Sequence, residues 1–239
     1  MVGGPAKGLR MLVNDRAPAF RQMIAGTYDA HIHEALDHAA IRPDMVLDVG
    51  AHMGYHVLCF AMRWPEARVV AFEPNPVNVG RLREQLVLNP SIAGRVEVMS
   101  MALADVDGRM DMRASSNIED QTSSGGYLHG VRPSLPEEVY TKAGFHSFSV
   151  PVHRLDTLVE KHAWQGIGLV KIDVEGAEHM VLHGAMETLA HARPVLLIEV
   201  HSVACTFRVM ELLHGLRYRV VLLHEEDPRR GFLMATSDR

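Results

Sequence analysis

Cysteine is scarce in this chain. Cys59 and Cys205 are the only two among 239 residues, each in an apolar helical context, which argues for buried thiols and against a disulfide framework or a cysteine metal cluster. A reducing cytoplasm fits that usage. Positive charge is also in deficit, with a net charge of −5 and a pI of about 6.3, so no broad cationic surface exists to hold a phosphate backbone and nucleic acid is not expected as a partner. Nothing approaches the run of about 18 apolar residues that a membrane span needs, and the N-terminus has no apolar signal core. Neither a membrane nor export is expected. Repeats and low-complexity tracts are missing. The 15 histidines are scattered, without H-E-x-x-H or a close His/Cys set of the kind zinc prefers.

Hydrophobic residues at 47% and charged residues at 22% suit a soluble globular protein, and the length suits one α/β domain with elaborations. The organising stretch is Met45 to Gly54, M-V-L-D-V-G-A-H-M-G. An apolar run ends in Asp48, Gly50 and Gly54 follow four apart, and helical spacing begins at Tyr55, which reads as buried strand, glycine turn and helix start. Such a turn brings backbone close to a ligand at a helix N-terminus. A dinucleotide turn wants G-x-G-x-x-G, and here His52 stands where the second glycine admits a pyrophosphate, so NAD is disfavoured. An S-adenosylmethionine turn wants an acid at the strand end and spaced glycines, which Asp48, Gly50 and Gly54 supply. A plain strand-to-helix turn is the competing reading.

One βα unit later, Arg68 to Phe72 reads as a short buried strand followed by Glu73. An acid there is placed to accept two hydrogen bonds from a ribose diol; alternatively it only favours the N-terminus of the next helix.

V-L-D-V-G-A-H-M-G-Y, A-F-E-P-N-P-V-N, L-V-K-I-D-V-E-G-A-E and V-L-L-I-E-V-H, in this order, resemble the FkbM family of S-adenosylmethionine-dependent methyltransferases from about Tyr28 to about His201. K-I-D-V-E-G-A-E is the most specific part; one departure is His52, where the family often has Asn. The resemblance implies an α/β, Rossmann-like class I methyltransferase fold, with a mostly parallel seven-stranded sheet and helices on both faces. It also implies S-adenosylmethionine as cofactor and O-methylation of a hydroxyl on a sugar or natural product. An N- or C-methyltransferase acting on a small molecule, and an inactive cofactor-binding protein, are the alternatives.

Taken in order, Met1 to Arg16 is expected to be loose, and the spacing of Phe20, Met23, Ile24, Tyr28, Ile32 and Leu36 predicts a helix from about Pro18 to Ala40. That helix flanks the cofactor cleft in the resembled family, where Tyr28 and His31 either line it or only pack. Residues 1–40 form this lead-in and 41–239 the methyltransferase domain. Pro76 to Leu88 reads as a helix and Arg95 to Met99 as a strand. Ser100 to Asp105 then falls where the fold holds adenine, with Met101 and Ala102 against the ring and Asp105 facing an amino group or only ending a strand. After a short strand at Arg109 to Met112, the segment 114–144 is rich in Ser, Gly, Pro and charge. It reads as an irregular substrate-facing insertion. Tyr127 and His129 within it, with Glu175, are the candidate substrate contacts. Phe148 to Val152 is a strand, Asp156 caps a helix through Lys161, Leu169 to Ile172 and Val195 to Val200 are buried strands, and Ala177 to Ala190 and Thr206 to Leu216 are helices. Arg217 to Leu223 and Gly231 to Ala235 predict an antiparallel hairpin on the sheet edge.

Ligands bind outside the carboxyl ends of the strands in an open α/β sheet. Asp48, Gly50, His52, Gly54, Glu73, Met101, Ala102 and Asp173 are the candidate cofactor contacts, and Asp173, Glu199 and His201 the candidate catalytic group. A hydroxyl is a poor nucleophile near neutral pH, so a base or a metal is useful. His201 is the candidate base, with Glu199 or Asp173 either orienting the ring or stabilising its charged form, and with a plain strand-end role as the alternative. Hard oxygen ligands at Asp173 and Glu175 suit Mg2+. The expected partner is a small-molecule hydroxyl acceptor, and a homo-oligomer is compatible with the sequence.

Overall fold

Two amide side chains at the end of one helix hold the first residues of the chain in place. In the computed structural model, which describes residues 1–13, 18–115, 126–131, 137–142 and 144–237, Asn89 and Gln85 bond the main chain of Arg10 and Leu12 from both sides. Arg10 N–H donates to Asn89 Oδ1 at 2.8 Å, Asn89 Nδ2 returns a bond to the Arg10 carbonyl at 2.7 Å, and Gln85 does the same for Leu12 at 2.8 and 3.0 Å. Residues 1–13 are therefore not loose, and Ala6 and Leu9 are buried as well; residues 14–16 of the expected loose start lie outside the described residues.

The expected helix over 18–40 is two helices, α1 (Pro18–Ala25) and α2 (Ala30–Ala39). Gly26 and Asp29 take positive φ of 78° and 49° between them, turning the chain while the apolar period carries on across the break. Then follow β1 (Met45–Val49), α3 (Tyr55–Arg63), β2 (Arg68–Phe72), α4 (Pro76–Leu88), α5 (Pro90–Ala93) and β3 (Val96–Met99). The middle of the chain holds β4 (Ala102–Leu103), β5 (Gly108–Ser115), β6 (Tyr127–Leu128), α6 (Glu137–Lys142), β7 (Phe145–His153) and α7 (Leu155–His162). The last part holds β8 (Ile167–Ile172), α8 (Glu178–His183), α9 (Met186–Ala192), β9 (Val195–Val200), α10 (Val203–Gly215), β10 (Tyr218–Asp227) and β11 (Arg230–Ser237).

The main sheet has seven strands in the order β10-β11-β9-β8-β1-β2-β3. Five central strands are parallel, and the β10–β11 hairpin adds antiparallel on β9 with bulged register past Leu222 and Glu225. Both faces are covered, as the near-continuous apolar runs of these strands require. Leu47, Val70, Val170 and Ile198 pack beneath α7 to α10, and Val46, Val69, Leu169 and Leu197 beneath the N-terminal helices. Among the described residues, no helix is long and apolar enough to cross a membrane.

A second sheet, β4-β7-β5-β6, replaces two strands read separately from the sequence: β5 and β7 pair antiparallel over eight residues, from Gly108↔Val152 to Ser115↔Phe145. The segment 114–144 is thus partly regular. β6 joins this sheet and α6 follows, while residues 116–125, 132–136 and 143 lie outside the described residues. Two helix assignments also change. The stretch 177–190 divides into α8 and α9 at Gly184, where a Cβ would fall 1.9 Å from the Ala104 carbonyl oxygen. Asp156 lies inside the first turn of α7 and caps a neighbour instead, its carboxylate accepting from Thr188 N–H at 2.8 Å, Thr188 Oγ1 at 2.7 Å and Glu187 N–H at 3.2 Å at the start of α9.

Candidate active site

Side chains alternate along a strand, and that alternation gathers the charged residues on one face. Asp48 and Lys171 are direct cross-strand partners; Asp173 lies two residues beyond Lys171. On the next strands Glu199 pairs with Phe232 and Phe232 with His224. This row, on the face covered by α2 and α3, runs along one side of a cavity of about 650 Å3. The opposite wall comes from Tyr28, Asp29 and His31 in the break before α2 and its first turn, and Met112, Tyr127 and Leu128 of the second sheet close one end.

Between β1 and α3 the chain passes the cavity as Val49 to His52. Gly50 has φ 82°, and a Cβ there would lie 1.8 Å from the Asp173 carbonyl oxygen, so this position admits glycine alone. His52 is also left-handed, at φ 50°, which turns its N–H onto Glu73 Oε2 at 2.8 Å. Glu73 Oε1 accepts from Asn75 N–H at 2.8 Å. Burial pushes the Glu73 carboxyl up to about 7 against these hydrogen bonds, and burial likewise lowers the His52 ring to about 4, keeping it neutral. Met101, Ala102 and Leu103 extend the apolar floor beside Glu73.

At the other end stand the groups expected to do chemistry. Lys171 Nζ lies 3.3 Å from Asp48 Oδ1 and 3.4 Å from Asp173 Oδ2. Burial alone would lower the lysine, but these two carboxylates raise it; in return Lys171, with His201, overcomes the burial of Asp173 and keeps that carboxyl below its ordinary range. Glu199 is pushed well up by burial and by the charge of Asp173, so it is a carboxylic acid beside a carboxylate. Burial would also lower His201, but its hydrogen bond to Glu178 and the charges of Asp173, Glu178 and Glu175 push it up to about 9. A hydroxyl entering here meets an acceptor in Asp173 and a donor in Glu199.

Of the candidate residues, Gly50, His52, Glu73, Met101, Ala102, Asp173, Glu175, Glu199 and Tyr127 line the cavity, as do Tyr28 and His31. Others do not. Asp48 is fully buried and meets Lys171 rather than the cavity. A Cβ at Gly54 would strike Leu82 Cδ1 at 2.2 Å, so that glycine serves the packing of α3 on α4. His201 lies behind the lining, its side chain 3% exposed; its ring is oriented by Glu178 Oε1 at 2.7 Å from Nδ1, while the charge of Asp173 favours its protonated form. His129 bonds Ser147 Oγ at 3.0 Å on the exposed side of the second sheet; Asp105 is exposed. For a cation, the described residues whose donor atoms converge as a group of three are Asp173, Glu199 and His201, within 4.8 Å of one another. Sequence reasoning missed Asp29, Lys171, Glu178 and the hairpin residues His224, Glu226, Arg230 and Phe232. Lys171 and Glu178 lie within K-I-D-V-E-G-A-E, which was the available signal; the hairpin residues carried none.

The profile described as "Methyltransferase FkbM domain" matches residues 48–225. The 31-O-demethyl-FK506 methyltransferase FkbM of Streptomyces tacrolimicus is 31% identical over 208 residues, covering 79% of this chain and 77% of the relative. The 2-O-methyltransferase NoeI of Sinorhizobium fredii is 28% identical over 191 residues, covering 78% and 76%. Among solved structures, methyltransferase FkbM from Methylobacillus flagellatus superposes with a TM-score of 0.58 at 19% identity over 81% of this chain and 43% of its own. An O-methyltransferase from Bacillus cereus in complex with SAH does so with 0.53 at 14% identity over 95% and 84%. These two likenesses carry the class I methyltransferase fold.

Proposed function

The chain belongs to the FkbM methyltransferase family, and from that premise we propose that it transfers the methyl group of S-adenosylmethionine to a hydroxyl oxygen of a sugar or a natural product. The observation that carries the choice of oxygen is the pairing of a carboxylate, Asp173, with a protonated carboxyl, Glu199, on the wall of the cavity that also holds Gly50 to His52 and Glu73. Glu73 takes the ribose diol, and Met101 and Ala102 lie against the adenine. The methionine end follows the turn through His52 toward Asp173. A hydroxyl bonded between Asp173 and Glu199 is then held for in-line attack on the methyl carbon, and holding the partners in line supplies most of the acceleration. Its proton passes to the group around Asp173, whose charge His201 and Lys171 set. Arg230, Glu226 and His224 at the hairpin end, together with Tyr127 and Glu175, face the remainder of the acceptor. Relatives whose names specify 2-O-methylation and a demethyl-FK506 substrate support this reading.

Calorimetric titration with S-adenosylmethionine and with S-adenosylhomocysteine, followed by mass detection of one added CH2 across panels of glycosides and polyketides, tests it. Binding together with an O-methylated product is expected. His201→Ala should lower turnover about a hundredfold, within the range of proton-transfer catalysis, with cofactor affinity near that of the parent. A product methylated on nitrogen or carbon would overturn the hydroxyl assignment, and absence of cofactor binding would overturn the whole reading.

A further inference from the structure

The surroundings of His201 have the layout of a cation site. Glu178 Oε1 accepts the Nδ1–H at 2.7 Å, which fixes the ring and leaves Nε2 as the nitrogen that looks toward the cavity wall. The His201 side chain is 3% exposed. Three carboxyl oxygens converge on Nε2: Glu199 Oε1 at 3.5 Å, Glu175 Oε2 at 3.6 Å and Asp173 Oδ1 at 3.7 Å. Asp173 divides its oxygens, Oδ2 toward Lys171 and Oδ1 toward the space it shares with His201. A metal ion with nitrogen and oxygen ligands at about 2.0–2.2 Å sets neighbouring donors about 3.0–3.5 Å apart, so small side-chain rotations close this set around an ion. The two carboxylates face the cavity and the imidazole stands behind them, which leaves coordination positions open on the cavity side.

We propose that Asp173, Glu199 and His201 bind one divalent transition-metal ion, with Glu178 as the positioning carboxylate. An imidazole nitrogen among carboxylate oxygens favours manganese or zinc over magnesium. The ion takes the place of the Nε2 proton and of the proton on the Glu199 carboxyl, and both leave to solvent. The purpose of the ion rests on the O-methyl transfer reading: it lowers the pKa of the acceptor hydroxyl. The hydroxyl proton passes by way of the group around Asp173 to water, the C–O bond forms as the C–S bond breaks, and the electron pair of that bond stays on sulfur.

Titration of EDTA-stripped protein with Mn2+, followed by the electron paramagnetic resonance of the free ion, tests the site without any turnover. A single ion per chain is expected, displaced by Zn2+ and retained against a large excess of Mg2+. Glu199→Gln, nearly the same in shape, and His201→Ala should each weaken Mn2+ by at least about tenfold, and Glu178→Gln by about 10–100-fold, as loss of a carboxylate that orients a metal-bound imidazole typically does. Circular dichroism checks that each variant is folded. The site is overturned if wild type and the folded Glu199→Gln variant titrate alike, or if Mg2+ displaces Mn2+ as readily as Zn2+ does. Wild type that binds S-adenosylmethionine but no Mn2+ removes the ion alone; Mn2+ binding without S-adenosylmethionine binding removes the methyl-transfer reading and leaves the ion.

Discussion

Glu73 shows how a single residue's surroundings turn a readable position into a measurable one. Its carboxyl, raised by burial from about 4.5 to about 7, binds its proton more tightly in the folded protein than in the unfolded chain. Its contribution to stability is therefore complete below about 4.5 and is lost as pH rises through about 7. Cofactor binding runs the other way, because the ionised form is the better acceptor for two ribose hydroxyls. Calorimetry is expected to show S-adenosylmethionine affinity falling as pH drops from 8 to 6, both values bracketing that of Glu73. Glu73→Ala should lose about 1.5–3 kcal/mol of binding at the higher pH and most of that pH dependence. A variant with undiminished affinity would sink the ribose assignment. The acid after the second strand was legible because strand ends are. The N–H that His52 turns onto it was not, since nothing in A-H-M-G announces a left-handed histidine. Asp48 was misplaced for a related reason: a strand-end acid invites a ligand reading, and only the register opposite Lys171 shows that its partner is internal.

Among elements, the link between α7 and α9 is the one whose removal has the clearest expected effect. Asp156 is buried and accepts three hydrogen bonds from Glu187 and Thr188, so Asp156→Ala strands the first N–H groups of α9. A loss of about 2 kcal/mol is expected in urea unfolding, by analogy with helix caps and buried unsatisfied donors, with S-adenosylmethionine affinity unchanged under native conditions. Less than about 0.5 kcal/mol, the scale of an ordinary surface change, would show that water replaces the carboxylate. The sequence L-D-T-L does show a helix start; it does not show that the aspartate serves a helix some 30 residues later. The strands β1, β2, β8 and β9 were legible throughout because each is a bounded apolar run. The break at Gly26 was hidden by a period that continues on both sides, and β5 pairing with β7 was hidden by the long segment between them.

For the molecule as a whole, the cavity is assembled from distant parts of the chain, and His31 and His224 meet across it with ring centroids 4.8 Å apart. Addition of S-adenosylhomocysteine is expected to slow amide hydrogen exchange together in the turn at 50–52, in 126–128 and in 28–31, while the amides of β1 and β8 stay slow in both states. Protection confined to 50–52 would show that the outer walls do not respond to the cofactor. The position of the cavity beyond the carboxyl ends of the strands was legible from the alternation of apolar segments. The hairpin's part in the wall did not, because its turn reads only as charge. The buried ammonium of Lys171 between Asp48 and Asp173 has one more consequence. The chain has four lysines, and the other three, Lys7, Lys142 and Lys161, are exposed. An amine-reactive label therefore marks these three lysines and leaves the fourth untouched while the sheet is intact, so mass-spectrometric modification of Lys171 records the opening of the core in a mixture too crude for any binding assay.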